Sequence, residues 1–163
     1  MIDIIIANTA NHYSKIAKLA DVIWREHYIP IVGKPQIDYM LDKYQSATAI
    51  REQVVNGFEY FLITFNTTPV GYISIKKEAE SLFLSKIYVS SVYRGKKIGK
   101  AAMAFIEEKA KDYELKRIRL TVNINNTNSI KAYEKLGFVN TGPLVTDIGN
   151  GFVMDDYQMV KTV

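Results

Sequence analysis

The sequence contains no cysteine and only two histidines among its 163 residues. Without cysteine the chain forms no disulfide, offers no thiolate to a metal and has no cysteine nucleophile. His12 and His27 are too few imidazoles for a structural zinc site, so no bound metal is expected.

Long apolar runs and a strong net charge are also missing. No uninterrupted apolar run reaches about 18 residues, so we expect no transmembrane helix and no membrane partner. The N-terminal MIDIIIANTANHY lacks a basic leader and is typical of a first strand rather than a signal peptide, which favours a cytoplasmic location. The net charge of +4 is modest and does not by itself indicate a nucleic-acid partner.

Hydrophobic periodicity predicts one mixed α/β domain over residues 1–163. The predicted strands are 2–7, 60–66, 70–78, 81–89, 117–124, 138–147 and 151–161. The predicted helices are 12–28, 36–45, 47–56, 95–114 and 127–136. Asn11 is the expected cap of the first helix, and Pro30 is expected to end it, because proline breaks a helix interior. The strand 81–89 is apolar on both faces, as in the centre of a sheet.

The stretch SSVYRGKKIGKAAMAF (residues 90–105) places several cations at the N-terminal end of a predicted helix with strong hydrophobic periodicity. These cations are Arg94, Lys96, Lys97 and Lys100. The first turn of a helix already leaves N–H groups unpaired and carries the positive end of the dipole. A bound phosphate or pyrophosphate is the simplest reason to add charge there, and a solvated basic surface is the alternative. Neither a Walker loop nor G-x-G-x-x-G is present.

A second motif, NNTNSIKAYEKLGF (Asn125–Phe138), follows one helix and one strand later. Together the two motifs resemble those of the GNAT superfamily of acyl-CoA-dependent N-acetyltransferases, with a looser similarity to bacterial polyamine acetyltransferases. The family's phosphate loop, [QR]-x-x-G-x-[GA], falls on Arg94, Lys97 and Gly99. Its second signature, N-x-x-[AS]-I-x-x-Y-E-K-x-G-F, falls on residues 126–138. Lys97 replaces the first loop glycine, and a side chain fits there if φ stays negative.

The resemblance implies both a fold and a reaction. The fold would be mixed α+β, with a central, mostly antiparallel, seven-stranded twisted sheet that is splayed in the middle and flanked by helices on both faces. The reaction would move an acetyl group from acetyl-CoA (coenzyme A) to a primary amine of a small molecule or peptide, by direct transfer in a ternary complex. The resemblance is also compatible with a homodimer.

Two other classes of function remain as alternatives at this point. A non-catalytic acyl-CoA-binding or sensing module would keep the phosphate loop, but the presence of Tyr133 favours an enzyme. A nucleic-acid-binding domain would use the basic loop on a phosphate backbone. No stacking platform accompanies the basic residues, so no nucleic-acid partner is expected.

By the same resemblance, the pyrophosphate would lie on the backbone amides of residues 95–100, and the pantetheine arm would follow the end of the 81–89 strand. The implied cofactor-binding residues are Ile87, Tyr88, Val89, Arg94, Gly95, Lys96, Lys97, Ile98, Gly99, Lys100, Asn126, Ser129 and Tyr133. Asn126 would contact the pantetheine region. A backbone amide near Val89 would polarise the thioester carbonyl.

Tyr133 is the predicted catalytic residue, because a phenol with a pKa of about 10 can give a proton to the leaving thiolate. Its alternative role is a core aromatic residue on an amphipathic helix. An amine is mostly protonated at neutral pH, so a base is also needed. Glu26 and His27 are the candidates; the alternatives are a solvent-facing glutamate and a partly buried histidine.

The predicted acceptor-binding residues combine aromatic rings and carboxylates, both of which attract cations. They are Trp24, Tyr28, Asp155 and Asp156. Because neighbouring side chains in a strand alternate, Asp155 and Asp156 are expected to point to opposite faces. The alternatives are core aromatic residues and ordinary surface carboxylates.

Overall fold

The computed structural model describes all 163 residues, which cluster into two compact units. Unit 1 comprises Met1–Lys76 and Ser85–Ile106, and unit 2 comprises Lys77–Leu84 and Glu107–Val163. The strands are β1 (Ile2–Ile6), β2 (Phe58–Phe65), β3 (Thr68–Lys77), β4 (Leu82–Val89), β5 (Arg117–Asn123), β6 (Val139–Gly149) and β7 (Phe152–Thr162). The helices are α1 (Ala10–Val32), α2 (Lys34–Gln45), α3 (Ala47–Val55), α4 (Ile98–Asp112) and α5 (Thr127–Lys135).

The strands hydrogen-bond in the order β1-β2-β3-β4-β5-β7-β6, which confirms the predicted seven-stranded sheet. The β1–β2, β2–β3, β5–β7 and β6–β7 ladders are antiparallel. The β4–β5 ladder is parallel, with Leu82 opposite Ile118 and Phe83 opposite Arg119. The predicted mixed α+β class with a mostly antiparallel sheet is therefore confirmed.

Alternation along β2 explains how unit 1 is layered. Tyr60 hydrogen-bonds to Gln45 of α2 and Gln53 of α3, whereas the ring of Phe61 packs 4.8 Å from the ring of Phe105 on α4. Because successive strand side chains point to opposite faces, α2 and α3 cover one face of the strand and α4 covers the other. The buried strand residues between these layers are Tyr60, Phe61, Leu62, Ile63, Val70, Tyr72, Ile73 and Ile75.

Unit 2 shows the alternation that the sequence predicts for β5. The buried side chains of this strand are Ile118, Leu120 and Val122. Arg119 points the other way, pairs with both carboxylate oxygens of Glu78 at 3.1 and 3.0 Å, and lies 4.2 Å from the Phe83 ring centroid. This two-point pair joins the segment before β4 to β5.

The start of α1 differs from the prediction. Thr9, not Asn11, is the cap, because the Thr9 hydroxyl accepts a hydrogen bond from the His12 amide at 3.2 Å. Asn11 is already inside the helix. The N-cap position favours serine, threonine, aspartate and asparagine, and in α1 it is taken by Thr9.

The end of α1 also differs, because the helix continues through Pro30 to Val32. Proline already has a helical φ, and so close to the end of the helix it removes only the bond to the Glu26 carbonyl. Gly33, with φ at +87°, ends the helix instead. Neither this 23-residue helix nor any other has both the length and the apolar character needed to cross a bilayer.

Helix α4 starts three residues later than predicted, at Ile98 rather than residue 95. Gly95 and Lys97 have φ values of +82° and +63°, so residues 95–97 form a turn before the helix. Lys97 therefore does not meet the condition of a negative φ under which a side chain fits easily at this loop position. This lysine adopts the left-handed conformation that usually favours glycine.

Candidate active site

β4 becomes partly exposed towards its C-terminal end. Leu82 and Leu84 are buried, but every residue from Ser85 to Ser90 is half-buried. The preceding strand β3 is buried throughout 70–75. A strand with an accessible end can offer its main chain to an extended ligand. The predicted cofactor residues Ile87, Tyr88 and Val89 all lie in this accessible stretch.

Gly71 on β3 determines how closely the backbone of β4 approaches. A Cβ atom at Gly71 would lie 2.3 Å from the Tyr88 carbonyl oxygen and 3.2 Å from the Val89 Cα. The Ser90 amide also donates to the Val70 carbonyl at 2.7 Å. Gly71 was not among the predicted site residues, although an isolated glycine within an apolar strand pattern is a known signal of close backbone approach.

The chain continues into a segment that we call the basic loop (residues 94–100). The Lys97 carbonyl accepts the hydrogen bond of the Ala101 amide at 3.1 Å, so the first intrahelical donor of α4 is Ala101. The amides that precede this donor belong to Ile98, Gly99 and Lys100. Such first-turn amides have no intrahelical partner and face the positive end of the helix dipole. The backbone of the basic loop therefore favours an anion.

The side chains of the basic loop add to this effect. The exposed cations are Arg94, Lys96, Lys97 and Lys100. Lys96 Nζ lies 5.7 Å from the centroid of the Phe65 ring, which in turn lies 6.1 Å from that of Tyr93. The side chain of Ile98 is buried and anchors the start of α4. Exposed cations and unpaired amides thus meet at one place in unit 1, which is the arrangement that phosphate groups prefer.

An aromatic cluster connects α1 to β4 within unit 1. The Tyr28 and Tyr88 hydroxyl oxygens are 2.8 Å apart, and the Trp24 ring centroid lies 5.7 Å from that of Tyr28 and 5.8 Å from that of Tyr88. Trp24 is only 3% exposed and donates a hydrogen bond to the Tyr72 hydroxyl at 2.9 Å. Trp24 therefore supports the two phenols from the interior rather than lining a surface for the acceptor.

A buried polar network holds this cluster in place. Tyr72 donates to the Gln45 side-chain oxygen at 2.7 Å, and the Gln45 amide donates to the Tyr60 hydroxyl at 3.1 Å. Burial raises the pKa of Tyr60, and it raises the pKa of Tyr72 well above the ordinary value. Both phenols consequently stay neutral at physiological pH and keep their hydrogen bonds. No local sequence pattern predicts this network, because its members lie far apart in the chain.

The two candidate bases lie near the C-terminal end of α1. Glu26 is exposed, and its carboxylate accepts a hydrogen bond at 3.0 Å from the hydroxyl of Ser91, which follows β4. His27 is half-buried, and its ring centroid lies 4.7 Å from that of Tyr28. Both residues are thus in the part of unit 1 that contains the end of β4. The chain forms no group of three or more histidine and carboxylate side chains suited to a metal ion.

In unit 2, helix α5 carries Tyr133 and begins at Thr127, directly after its N-cap residue Asn126. Tyr133 is half-buried, and its ring centroid lies 5.7 Å from that of the buried Phe138. Gly137, with φ at +99°, turns the chain after the helix as predicted. Asn126 is 5% exposed, and its carbonyl accepts from the Ile130 amide at 3.0 Å; Ser129 is half-buried one turn into the helix.

Asp155 and Asp156 lie on β7, also in unit 2, and their side chains point to opposite faces as predicted. Asp155 is exposed, and its carbonyl accepts from the Ile124 amide at 3.1 Å. Asp156 is only 4% exposed. Of the two carboxylates, Asp155 is the one that a ligand in solvent can reach.

The motifs and the fold have counterparts among known proteins. The sequence pattern of the acetyltransferase (GNAT) family matches residues 17–138. The spermine/spermidine N(1)-acetyltransferase of Bacillus subtilis (strain 168) and the probable spermine N(1)-acetyltransferase of Bacillus subtilis subsp. natto (strain BEST195) are each 34% identical over 64 residues. Each alignment covers 39% of this chain and 42% of the relative, so the chain matches less than half the length of these curated proteins.

Solved structures show the same fold. The PaiA N-acetyltransferase of Thermoplasma acidophilum, in complex with coenzyme A, has a TM-score of 0.83 and 21% identity over 100% of this chain and 99% of its own. Arabidopsis thaliana Naa50, in complex with the bisubstrate analogue CoA-Ac-MVNAL, has a TM-score of 0.57 and 26% identity over 64% of this chain and 72% of its own. Since the family pattern covers most of the chain, this protein belongs to the acetyltransferase (GNAT) family.

Proposed function

We propose that this chain is an N-acetyltransferase that uses acetyl-CoA to acetylate a primary amine of a small molecule or peptide, and that residues 1–163 work as one domain. The basic loop after the accessible end of β4 carries the proposal, because it combines four exposed cations with unpaired helix amides. Family membership supports the reaction class. The coenzyme A complexes among proteins of the same fold support the acyl donor.

The residues of the chain fit an anionic donor with a long extended arm. When bound, acetyl-CoA would supply an acetyl group activated as a thioester. The amides of 95–100, with Arg94 and the lysines of the basic loop, would hold its diphosphate. The main chain of Ile87 and Val89 would hold the pantetheine arm in the manner of an added strand. Asn126 and Ser129 would contribute from the second motif.

Three of this chain's groups would assist the transfer itself. The backbone amide of Val89 would donate a hydrogen bond to the developing oxyanion. Tyr133 would give its phenolic proton to the departing thiolate. Glu26 or His27 would take a proton from the acceptor amine. The half-burial of Tyr133 supports its role, because a partly exposed phenol can regain its proton from solvent.

The acceptor is proposed to be cationic. In unit 1, the exposed carboxylate of Glu26 and the ring of Tyr28 would attract an ammonium group. In unit 2, the exposed Asp155 is the proposed acceptor-binding carboxylate. The spermine acetyltransferases among the curated relatives support a polyamine as the first acceptor to test. A cytoplasmic location and a homodimer remain predictions from the sequence.

An acceptor screen that follows CoA release with a thiol reagent tests the proposal. We expect turnover with at least one member of a panel of polyamines, amino acids, aminoglycosides and peptide N-termini. Tyr133→Phe should lower kcat by about 10²-fold or more, as loss of a general acid does. Equal rates for wild type and Tyr133→Phe would show that Tyr133 is not the proton donor.

The donor site is tested with the double variant Arg94→Ala/Lys97→Ala. Both side chains are exposed, so the thermal unfolding midpoint should change little while the KM for acetyl-CoA rises. An unchanged KM would contradict the assignment of the basic loop. Acetyl-CoA binding by wild type without CoA release in the presence of any amine would indicate the non-catalytic binding module instead.

A further inference from the structure

The phenol pair, Tyr28 and Tyr88, has a chemistry that the roles assigned above do not use. Its two hydroxyl oxygens are 2.8 Å apart, and either can be the donor. Two neutral phenols carry two protons, and the hydrogen bond between them uses only one. The other proton is directed outside the pair. Such a pair can accept a proton at one oxygen and release one from the other, so that each phenol remains neutral.

The surroundings of the phenol pair hold it in a fixed geometry. The Trp24 ring packs against both phenol rings, and the Tyr72 ring centroid lies 5.6 Å from that of Tyr88. Trp24 and Tyr72 are themselves fixed by the buried hydrogen bonds that lead to Gln45. Both phenols are nevertheless half-buried, so a ligand can reach them. Preorganised polar groups of this kind lose little entropy when they act on a substrate.

Within unit 1, the phenol pair lies next to the residues assigned to the acyl donor and to the candidate base. Tyr88 lies on β4 between Ile87 and Val89, whose main chain the proposed function assigns to the acyl donor. Neighbouring Cα atoms are about 3.8 Å apart, so this phenol is one residue from the proposed oxyanion donor. Tyr28 belongs to α1, two residues after the candidate base Glu26.

We propose that Tyr88 and Tyr28 form a relay that carries a proton from the acceptor ammonium to solvent; this inference rests on the proposed function. The ammonium gives a proton to Tyr88 Oη, Tyr88 passes its own proton to Tyr28 Oη, and Tyr28 passes its proton to water. As this proton leaves, the freed nitrogen lone pair forms the N–C bond in the same step, and the C–S bond breaks. The amine's second proton goes to Glu26 or His27 and from there to solvent, and the thiolate receives a proton from Tyr133, which regains one from water.

Other titratable groups near the phenol pair have to be distinguished from it. They are His27 of α1, Tyr72 of β3 and Lys86 of β4, whose Nζ lies 6.0 Å from the Trp24 ring centroid. Tyr72 stays neutral, because burial raises its pKa. A pH range of about 7 to 9 lies above the ordinary range of histidine and below that of lysine, so changes within it report mainly on the amine and its relay.

The pH dependence of kcat/KM for the amine tests the relay. In Tyr88→Phe only the neutral amine reacts, so kcat/KM should rise about tenfold per pH unit below the amine pKa of about 10. The wild-type slope should be clearly shallower, because the bound ammonium reacts directly and its proton is still in transfer along the relay in the rate-limiting transition state. At pH 7 the Tyr88→Phe loss in kcat should be about 10²-fold. Tyr113→Phe, which removes a phenol that follows α4 and has no part in the proposed site, should keep the wild-type profile.

The double variant provides a second test. Tyr28→Phe should lose about as much kcat as Tyr88→Phe, and Tyr28→Phe/Tyr88→Phe should lose no more than either single variant, because a relay fails once either member is removed. The KM for acetyl-CoA should be the same in all variants. Equal slopes for wild type and Tyr88→Phe, or losses that multiply, would overturn the relay alone. A wild type without turnover on any amine would overturn the proposed function and the relay together.

Discussion

The close contact between Gly71 and β4 provides a sharp test of how the backbone positions the proposed chemistry. Gly71 does not lie in the left-handed region, so alanine is compatible with its backbone conformation. The added methyl carbon would nevertheless lie 2.3 Å from the Tyr88 carbonyl oxygen. The nearest atoms to this methyl carbon are backbone atoms of Tyr88 and Val89, so no flexible side chain can move aside to make room. Gly71→Ala should therefore displace the end of β4.

The size of this displacement follows from the contact distance. Real Cβ atoms essentially never approach another heavy atom within 3.0 Å, so the two backbones must separate by at least about 0.7 Å. A shift of about 1 Å in a group that positions a substrate can cost about 10²-fold in rate. We expect Gly71→Ala to lower kcat by roughly that factor. Overpacking should also reduce the free energy of unfolding by about 1–3 kcal/mol.

The assay compares CoA release by wild type, Gly71→Ala and Thr68→Ala at a temperature where all three are folded. Thr68 lies on the same strand, and its side chain is exposed, so its truncation should leave both rate and stability nearly unchanged. Thermal unfolding monitored by circular dichroism gives the folded fraction. If Gly71→Ala turns over at the wild-type rate, the end of β4 does not position the reacting groups.

Two further predictions concern Lys97 and Asp38. Lys97→Gly should raise the free energy of unfolding by about 0.5–1 kcal/mol in chemical denaturation, because a left-handed lysine costs more than the added flexibility of glycine. Lys97→Ala should not raise the free energy of unfolding, because alanine is also strained in the left-handed conformation. Both variants should raise the KM for acetyl-CoA. Hydrogen bonds from Lys34, and to a smaller extent from Arg25, lower the pKa of Asp38 in the folded state. The Asp38 carboxylate therefore stabilises the fold at a pH above its unfolded pKa, and this stabilisation is lost as the pH falls through its folded pKa. Asp38→Asn should therefore lower the unfolding midpoint at pH 7 but not near pH 2, and an equal decrease at both would contradict the assignment.

The parts of the fold that the sequence predicted are those with a local cause. The alternation of Ile118, Leu120 and Val122 in β5 and the positive φ of Gly137 after α5 follow from short-range patterns. Pro30 misled the prediction, because its effect depends on how close it is to the end of α1. The positive φ of Lys97 also does not follow from its residue type, because lysine disfavours the left-handed conformation.

In the candidate site too, the features with a local cause were predictable from the sequence and those that depend on long-range packing were not. The basic loop and the second motif are contiguous in sequence, so their residue types alone indicated an anion site and a family. The phenol pair joins residues 60 positions apart, and the Trp24–Tyr72 hydrogen bond joins residues 48 apart. No periodicity reveals which tyrosines of an aromatic-rich chain will meet, because that depends on how α1 packs against β3 and β4. Gly71 was detectable in principle, since a lone glycine in a strand needs a reason.

These long-range contacts share one effect, which is to fix the end of β4. Gly71 permits the close approach of β3, the Ser90 amide bonds to Val70, Tyr88 bonds to Tyr28, and Ser91 bonds to Glu26. The cations of the basic loop, by contrast, are exposed side chains on long flexible stems. Acyl transfer demands placement within a fraction of an ångström, whereas a diphosphate can be held by charges that adjust to it. The chain thus concentrates its structural constraints on the strand where the proposed bond-making step occurs and leaves the adjoining anion site adaptable.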